Sequence, residues 1–206
     1  MVHYKLHYFG LYARGEPIRQ VFALAGQEFE DTRYSMEEWP QHKADMPFGQ
    51  LPVLEVDGEL LPQSMAILRF VGRRFGYAGK TDVEQAQVDA IADQFQDYFN
   101  EFKAYFVVAV GFAPGDKEQL FNSVMIPARN KMFQMLSQIL RSNGTGFLVG
   151  DSVTYADLLL SIHVAGMDGL TPGFANDYPR LLEHRQRVES IPALKHYLET
   201  RPFAPF

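Results

Sequence analysis

Residues 8–14 (YFGLYAR) place a tyrosine and an arginine in one short segment at the end of the first predicted strand. A neutral phenol can donate a hydrogen bond to an anion, and a nearby guanidinium adds positive potential. The reactive form of a thiol is its thiolate, and an ordinary cysteine thiol has a pKa of roughly 8.5. Tyr8 and Arg14 therefore suit the stabilisation of a bound thiolate. The alternative is that Tyr8 is simply an aromatic side chain of the core.

A second group of candidates lies in residues 50–64. Pro52 opens a predicted strand, and a cis bond before it would turn the backbone of Leu51 outward to pair with an extended ligand. Gln63 and Ser64 precede a predicted helix, whose free N–H groups and positive dipole end can bind a carboxylate. Two ordinary alternatives stay open, which are a proline that merely starts a strand and a serine that merely caps a helix.

Other polar residues indicate less. Asp93 and Asp97 are four residues apart on a predicted helix, where a solvated face is the simplest interpretation. His3 and His7 could share one face of a strand, but they have no third ligand in a recognisable spacing. The chain contains no cysteine, which excludes disulfides, thiolate metal ligands and a cysteine nucleophile. We therefore expect no metal site.

The elements that must position these residues differ between the two parts of the chain. Residues 1–76 alternate strand and helix patterns in the order β-α-β-α-β-β-α, with Asp57-Gly58 as a hairpin turn and a short, broken helix within residues 36–46. This order predicts a thioredoxin-like domain with one parallel crossover and one hairpin. A thioredoxin-type redox site would need cysteine, so another chemistry is expected at the end of the first strand.

The rest of the chain has helical patterns only. A linker is predicted at residues 77–82 and an all-helical domain at residues 83–206. Its first helix carries apolar side chains at helical spacing, and its second contains Pro127, which should kink it. Thr154 and Asp157 have the spacing of a capping box, and the apolar run that follows predicts a helix at the centre of the bundle. The fold class is thus α/β plus all-α.

Composition limits the function classes. Of the 206 residues, 47% are hydrophobic, which is enough for a sizeable core, and the net charge of −6 comes without a basic tract. Nucleic acid and anionic membranes are therefore unlikely partners. No apolar run approaches the roughly 18 residues of a membrane span. With no cysteine and no apolar signal core, the sequence predicts a cytoplasmic protein.

Longer stretches of the chain resemble the sigma-class glutathione transferases. The stretches are YKLHYFGLYARGEPIRQVFALAG, LPVLEVDG, QSMAILRFVGRRFG, VDAIADQFQDYF and FLVGDSVTYADLLL, in the order and spacing of that family over essentially the whole chain. Each stretch is weak evidence alone, and together they are specific. The nematode members of the class are the most similar in character, and the haematopoietic prostaglandin D synthases are more distant. The resemblance implies a homodimeric enzyme that conjugates its co-substrate, glutathione, to small hydrophobic electrophiles in detoxification.

The resemblance also implies roles for the candidates. Tyr8 would hydrogen-bond the sulfur of glutathione, and Arg14 would support the thiolate. Gln63 and Ser64 would bind the γ-glutamyl carboxylate. Asp97 would reach from the second subunit to the γ-glutamyl amine.

The remaining glutathione contacts are implied in the same way. Trp39 and Lys43 would hold the glycyl end, and Leu51, ahead of a cis Pro52, would pair with the cysteinyl backbone. Gln50 stands where many members have lysine, so glycyl-carboxylate binding would depend more on Lys43.

A hydrophobic-substrate site is expected beside Tyr8. Its predicted lining is Phe9, Gly10, Ala13, Ala104, Tyr105, Phe106 and Phe206. The small residues should leave it open, so we expect broad, modest activity toward aromatic electrophiles and, from the resemblance to nematode members, binding of haem-like planar ligands. The alternative is that the aromatic C-terminal tail packs down and closes the cleft.

Two departures from the synthases bear on the alternatives. Gln96 interrupts the acidic cluster that binds metal in the prostaglandin synthases, and Ala104 replaces a tryptophan of their substrate site. A glutathione-dependent prostaglandin isomerase is therefore a second hypothesis rather than the first. A third hypothesis, from another class, is a ligand-carrying or crystallin-like structural protein, which should have lost Tyr8 or the glutathione contacts.

Overall fold

The first part of the chain forms a four-stranded mixed sheet. The computed structural model describes residues 2–204. The strands are β1 (Tyr4–Phe9), β2 (Glu30–Tyr34), β3 (Val53–Val56) and β4 (Glu59–Pro62), in the order β2-β1-β3-β4. β1 is parallel to β2, and the other two pairs are antiparallel. The predicted thioredoxin-like domain is confirmed, with its single parallel crossover and its hairpin.

Helices α1 (Glu16–Ala25), α2 (Trp39–His42) and α3 (Ser64–Phe75) complete this domain. Pro17 lies in the first turn of α1, where its missing N–H costs nothing, and Gly26 ends the helix with a positive φ of 60°. Ile18, Val21 and Phe22 recur at helical spacing and are fully buried against the sheet. The short α2 and the 3₁₀ turn after it (Lys43–Asp45) match the predicted broken helix.

The second part of the chain is entirely helical over the described residues. Its elements are α4 (Asp82–Ala109), α5 (Lys117–Leu120), α6 (Ile126–Asn143), α7 (Tyr155–Leu170), α8 (Pro179–Glu189) and α9 (Pro192–Thr200). A π-helical segment, Phe121–Met125, joins α5 to α6. Pro127 is the second residue of α6, and its ring would clash with the carbonyl of residue 123 in a regular helix. The kink predicted at Pro127 therefore takes the form of a π-helical segment just before it.

Helix α7 runs through the centre of the bundle and starts from a buried carboxylate. Asp157 is fully buried. It accepts hydrogen bonds from the Thr154 amide and hydroxyl at 2.8 and 2.9 Å, from the Leu148 amide at 2.8 Å, and pairs with His184 Nε2 at 2.8 Å. This satisfies the carboxylate on all sides and confirms the pairing of Thr154 with Asp157.

The two parts of the chain pack closely on each other. The Tyr155 ring lies over Gly72 of α3, where a Cβ would come within 2.4 Å of Tyr155 Cδ1. The Tyr155 amide donates to the carbonyl of Tyr77 at 2.8 Å, and the Tyr77 hydroxyl donates to the carbonyl of Leu24 at 2.8 Å. Tyr77 of the linker is thereby hydrogen-bonded to both α1 and the start of α7. The exact domain limits, 1–76, 77–82 and 83–206, stay predictions.

Candidate functional site

Tyr8 is the last residue but one of β1, is buried, and is one of the residues that line a large cavity. The hydroxyl oxygen accepts a hydrogen bond from the Arg14 amide at 3.1 Å. Among residues 2–204, no acceptor lies within hydrogen-bonding distance of the phenol hydrogen. Burial raises the pKa of Tyr8, and the Arg14 amide together with the charges of Arg14 and Arg19 offsets only part of that rise. The phenol therefore stays protonated and can donate into the cavity.

The segment after β1 holds Arg14 beside this phenol. Residues Ala13–Gly15 form one 3₁₀ turn that leads into α1. The Arg14 side chain lines the cavity, with its guanidinium carbon 5.3 Å from the centroid of the Phe99 ring on α4. This exposed cation adds positive potential at the mouth of the cavity, close to the Tyr8 hydroxyl.

Gly15 is required by the close approach of the Tyr8 ring. A Cβ at Gly15 would lie 2.4 Å from Tyr8 Cδ1 and 2.9 Å from Cγ. The ring is buried and rigid, so Gly15→Ala should displace the phenol, destabilise the protein by about 1–3 kcal/mol and lower activity in the folded protein. Urea unfolding and conjugation assays would measure both effects.

Gly10 supplies the matched control for this prediction. It belongs to the same segment, but nothing lies within 4 Å of a Cβ placed there. Gly10→Ala should therefore leave stability and activity near wild type. Equal effects of the two substitutions would show that the Tyr8 ring is not held by Gly15.

The start of α3 presents backbone donors to the same cavity. Gln63 occupies the N-cap position with a positive φ of 76° and makes no side-chain cap. Ser64 is the first helical residue, is buried, and lines the same cavity as Tyr8 and Arg14. The serine was expected either to cap the helix or to present donors. Because it lies inside the first turn, the N–H groups there remain available to an anion.

The other predicted glutathione contacts lie around α2 and the start of β3. The Leu51-Pro52 bond is cis. Trp39 packs against Phe9, with ring centroids 5.7 Å apart. Lys43 is exposed, and its side chain passes Gly49, whose Cβ would lie 3.4 Å from Lys43 Cε. Gln50 directly follows Gly49 and is also exposed. Except for Phe9, these residues do not line the large cavity, and Trp39 adjoins it through its contact with Phe9; they are called the rim below.

The large cavity lies between the two domains and has a volume of about 390 Å³. This falls within the roughly 300–1,000 Å³ typical of small-molecule sites. Its walls come from the segment after β1, from α3, from α4 and from α7. Tyr8 and Arg14 lie together and form a polar end of the cavity, Ser64 also belongs to the lining, and most of the remaining lining is apolar or aromatic. The shape suits a ligand with a polar end at Tyr8 and a hydrophobic body.

The predicted lining of the hydrophobic site is correct only in part. Phe9, Ala13 and Phe106 line the cavity. Gly10 and Ala104 are exposed and do not, while Tyr105 is fully buried with its hydroxyl 3.3 Å from Thr171 Oγ1. Each residue of a helix is rotated by about 100° from the last, so the neighbours of Phe106 point elsewhere. Phe206 lies outside the described residues.

Residues 201–204 of the C-terminal tail pack beside the cavity rather than into it. The Arg201 guanidinium carbon stacks 3.9 Å from the centroid of the Tyr12 ring, and the Tyr12 hydroxyl donates to the carbonyl of Pro202 at 3.3 Å. Arg201 also pairs with the buried carboxylate of Glu16. Residues 201–204 contribute nothing to the lining. The described part of the tail thus braces the segment after β1 from outside.

Several lining residues were not predicted as part of the site. They are Pro17, Met36, Met65, Leu68, Phe95, Gln96, Tyr98, Phe99, Phe102, Phe112, Leu159, Ile162, His163, Gly166, Met167 and Leu170. On α4, four phenylalanines recur at the spacing i, i+4, i+7, i+11, and six of the α7 positions follow a similar helical stripe. That periodicity was the available signal. It could not tell a cavity wall from ordinary core.

Asp97 points away from the cavity. It is exposed on α4, whereas its neighbour Gln96 lines the cavity. Its predicted contact with a ligand of the second subunit therefore stays a prediction. In residues 2–204 no three His, Asp or Glu side chains come together as a metal site. The same residues include no helix long and apolar enough to cross a membrane.

Comparison with known proteins identifies the fold. Residues 4–73 match the family described as "Glutathione S-transferase, N-terminal domain", and residues 96–201 match "Glutathione S-transferase, C-terminal domain". The chain is 50% identical to "Probable glutathione S-transferase 6" of Caenorhabditis elegans, with full coverage of both chains.

Solved structures agree. A Nu-class GST from Haemonchus contortus is 52% identical with a TM-score of 0.93, covering 100% of both chains. Monomeric Na-GST-3 from Necator americanus is 50% identical with a TM-score of 0.96, covering 99% of this chain and 100% of its own. Rat hPGDS complexed with a quinoline is more distant, at 34% identity and a TM-score of 0.87, covering 99% of this chain and 100% of its own. The predicted sigma class is thus not confirmed.

The tyrosine at the end of β1, the open start of α3 and the apolar cavity between the domains occur in a chain that matches both domain families. The chain belongs to the glutathione S-transferase family and is a transferase that uses glutathione.

Proposed function

We propose that this protein conjugates reduced glutathione to small hydrophobic electrophiles, as in detoxification. The observation that carries the proposal is the Tyr8 phenol, which is held by the Arg14 amide at 3.1 Å with its hydrogen free at the wall of an apolar cavity. A thiolate beside this phenol would gain a charged hydrogen bond worth about 1.5–3 kcal/mol. Its pKa would fall by about one to two units as a result. The adjacent apolar space would hold the electrophile.

Glutathione would lie extended from the start of α3 to the rim of α2. The N–H groups at Ser64, with the Gln63 side chain, would bind its γ-glutamyl carboxylate. Leu51 would pair with the cysteinyl backbone through the peptide groups beside the cis bond to Pro52. This arrangement leads the sulfur to Tyr8.

The glycyl end would reach the rim outside the cavity. Trp39 would contact it through its indole, and Lys43 would pair with its carboxylate, with Gln50 beside them. Lys43 is exposed and is a cation at neutral pH, so this contact should weaken with added salt.

Retention on immobilised glutathione, followed by a panel of electrophiles, tests the proposal directly. Retention with turnover of several aromatic electrophiles would support it. A protein that is retained but turns over one endoperoxide substrate far faster than any electrophile would instead support the isomerase hypothesis. A folded protein that neither binds glutathione nor conjugates would support the structural hypothesis. The cytoplasmic location stays a prediction, which cell fractionation would test.

We also propose that the protein works as a homodimer. Three large apolar side chains of the N-terminal domain are exposed: Leu60 on β4, Phe70 on α3 and Phe48 in the loop before β3. Burying them in a second subunit would remove an exposed apolar surface from water. Asp97 is exposed on α4, so it too is available to a neighbouring chain.

Mixed dimers test this arrangement. Asp97→Ala should weaken glutathione binding, because the γ-glutamyl amine loses a carboxylate. A dimer of one Asp97→Ala and one Tyr8→Phe subunit should have one native site in two. One site then contains both an intact Tyr8 and an intact Asp97, while the other site carries both substitutions. Asn100→Ala, at another exposed position of α4, serves as the control. A fully active monomer in sedimentation would refute the dimer.

Planar hydrophobic ligands, haem-like porphyrins among them, are proposed to bind in the same region. Trp39 is the single tryptophan, and it contacts Phe9, which lines the cavity. A porphyrin at micromolar concentration should therefore quench its fluorescence and inhibit conjugation in parallel. Neither effect is expected if the space is shaped for one dedicated substrate.

A further inference from the structure

A histidine on α7 forms part of the cavity wall and has no role in the glutathione chemistry described above. His163 lies among the rings of Tyr98, Phe102 and Phe174, with centroids 5.1, 5.7 and 6.0 Å away. It sits deep in the fold and yet keeps some accessible surface, and it is one of the lining residues. That surface therefore faces the cavity rather than bulk water.

The imidazole is neutral under ordinary conditions. Burial lowers the pKa of His163 to about 3. Burial also raises the pKa of Tyr98, so that phenol keeps its proton. The two groups form a neutral pair, with the Tyr98 hydroxyl 3.1 Å from His163 Nε2. His163 cannot act here as a cation for an acidic ligand, and only hydrogen bonding is left to it.

The hydrogen-bond pattern assigns the tautomer. If Nε2–H donated to the Tyr98 oxygen, the Tyr98 hydrogen and the Nδ1 lone pair would both lack partners in an apolar environment. If Tyr98 O–H donates to Nε2, the one unpaired donor is Nδ1–H. An unmade hydrogen bond in a buried site is costly, so the second arrangement is favoured. Nδ1–H then has no partner among residues 2–204 and is the donor available to the cavity.

The position of His163 sets which part of a ligand it can meet. Arg14 lies 5.3 Å from the Phe99 ring, Phe99 packs on Phe102 at 5.3 Å, and Phe102 packs on His163 at 5.7 Å. Two aromatic side chains thus separate the histidine from the polar end of the cavity. A ligand whose reacting atom is at Tyr8 would reach His163 with its far end.

We propose that His163 Nδ1–H, held by Tyr98, recognises an acceptor oxygen at the far end of the electrophile, so that the cavity favours aromatic electrophiles bearing a carbonyl, nitro or ether oxygen there. This inference rests on the proposed function. A purely apolar wall separates substrates weakly, whereas a buried donor discriminates against ligands that leave it unpaired. His163 is thereby a specificity-determining residue of an otherwise permissive cavity.

Matched substrates test this with one difference in structure. Benzyl isothiocyanate reacts with glutathione and carries no oxygen, and its meta-acetyl and para-acetyl derivatives add one carbonyl away from the reacting carbon. Wild type should favour at least one acetyl derivative by about tenfold in kcat/KM, the size of one hydrogen bond. His163→Leu should abolish that preference, so that its kcat/KM ratio of acetyl derivative to parent compound falls to about one. His163→Asn should restore it, because its amide N–H lies near the position of Nδ1.

The outcomes separate the two proposals. No conjugation by wild type of any electrophile in the panel, the isothiocyanates included, would overturn the proposed function. Conjugation without an acetyl preference, or an equal preference in His163→Leu, would overturn only the role of His163. Should the leucine variant fail to fold, nitrogen NMR of wild type decides. The His163 Nδ1–H signal should exist and should shift with the glutathione conjugate of the preferred acetylbenzyl isothiocyanate, but not with the conjugate of benzyl isothiocyanate. A proton on Nε2, or equal shifts, would refute the proposal.

Discussion

Replacing Tyr8 with phenylalanine is expected to slow conjugation at neutral pH by roughly 10- to 150-fold while the fold and most of the glutathione affinity are kept. In the proposed function the phenol would donate to the thiolate, so its loss should remove about 1.5–3 kcal/mol. The thiol form of glutathione should lose little, since its other proposed contacts are at α2, β3 and α3. The effect should therefore appear as a higher pKa of the bound thiol, with a smaller change in affinity.

Thiolate absorbance titrated against pH in both proteins measures that pKa. The variant should need a higher pH to form the same fraction of thiolate, so its rate should partly recover as the pH rises. Tyr12→Phe provides the control, because the Tyr12 hydroxyl bonds the tail carbonyl of Pro202 and not the cavity. Superimposable titration curves for wild type and Tyr8→Phe would remove Tyr8 from this role.

The sequence predicted the N-terminal fold well because its signals are local. Pro17 and Gly26 mark the ends of α1, and Asp57-Gly58 marks the β3–β4 turn, so each boundary depends on a few neighbouring residues. Tyr8 could be singled out in the same way, because a strand end positions its side chain whatever the rest of the chain does. The alternative of Tyr8 as a core aromatic describes its buried ring but not the whole side chain, because Tyr8 also lines the cavity and its hydroxyl accepts only the Arg14 amide.

The far wall of the cavity could not be predicted because its signal is shared with the core. Tyr105 and Phe106 are adjacent aromatics on one helix, yet Tyr105 packs into the bundle and Phe106 lines the cavity. Only the angle between α4 and α7 decides which aromatic faces meet and which stay apart. His163 was missed for a related reason, because a lone histidine on an apolar face usually belongs to the core.

Arg19 connects the buried electrostatics of α1 to the segment that carries the site. Its guanidinium is fully buried, with Nη1 donating to the carbonyl of Leu11 at 2.7 Å, Nη2 to that of Phe9 at 3.3 Å, and Nε to Asp31 at 3.1 Å. The guanidinium carbon also lies 5.6 Å from the centroid of the Tyr8 ring. The Arg19 side chain thus holds the backbone on both sides of Gly10 and contacts the face of the Tyr8 ring.

Arg19→Leu is expected to destabilise the protein by about 3–5 kcal/mol, since it leaves Asp31, Glu16 and two carbonyls without their buried cation. That is a large part of an ordinary unfolding free energy of about 5–15 kcal/mol, so much of the variant should be unfolded at moderate temperature. Arg33→Leu is the matched control. Arg33 pairs with the same Asp31 at 2.7 Å but is partly exposed, so its loss should cost about 1 kcal/mol or less. Urea midpoints would measure both.

Arg19→Lys keeps the charge without the planar fork, so its stability should lie between those of wild type and Arg19→Leu. Its folded fraction should still conjugate more slowly, because the Phe9 and Leu11 carbonyls are no longer held together. Equal losses for Arg19→Leu and Arg33→Leu would mean that Arg19 is only one more ion pair and not the support of the site.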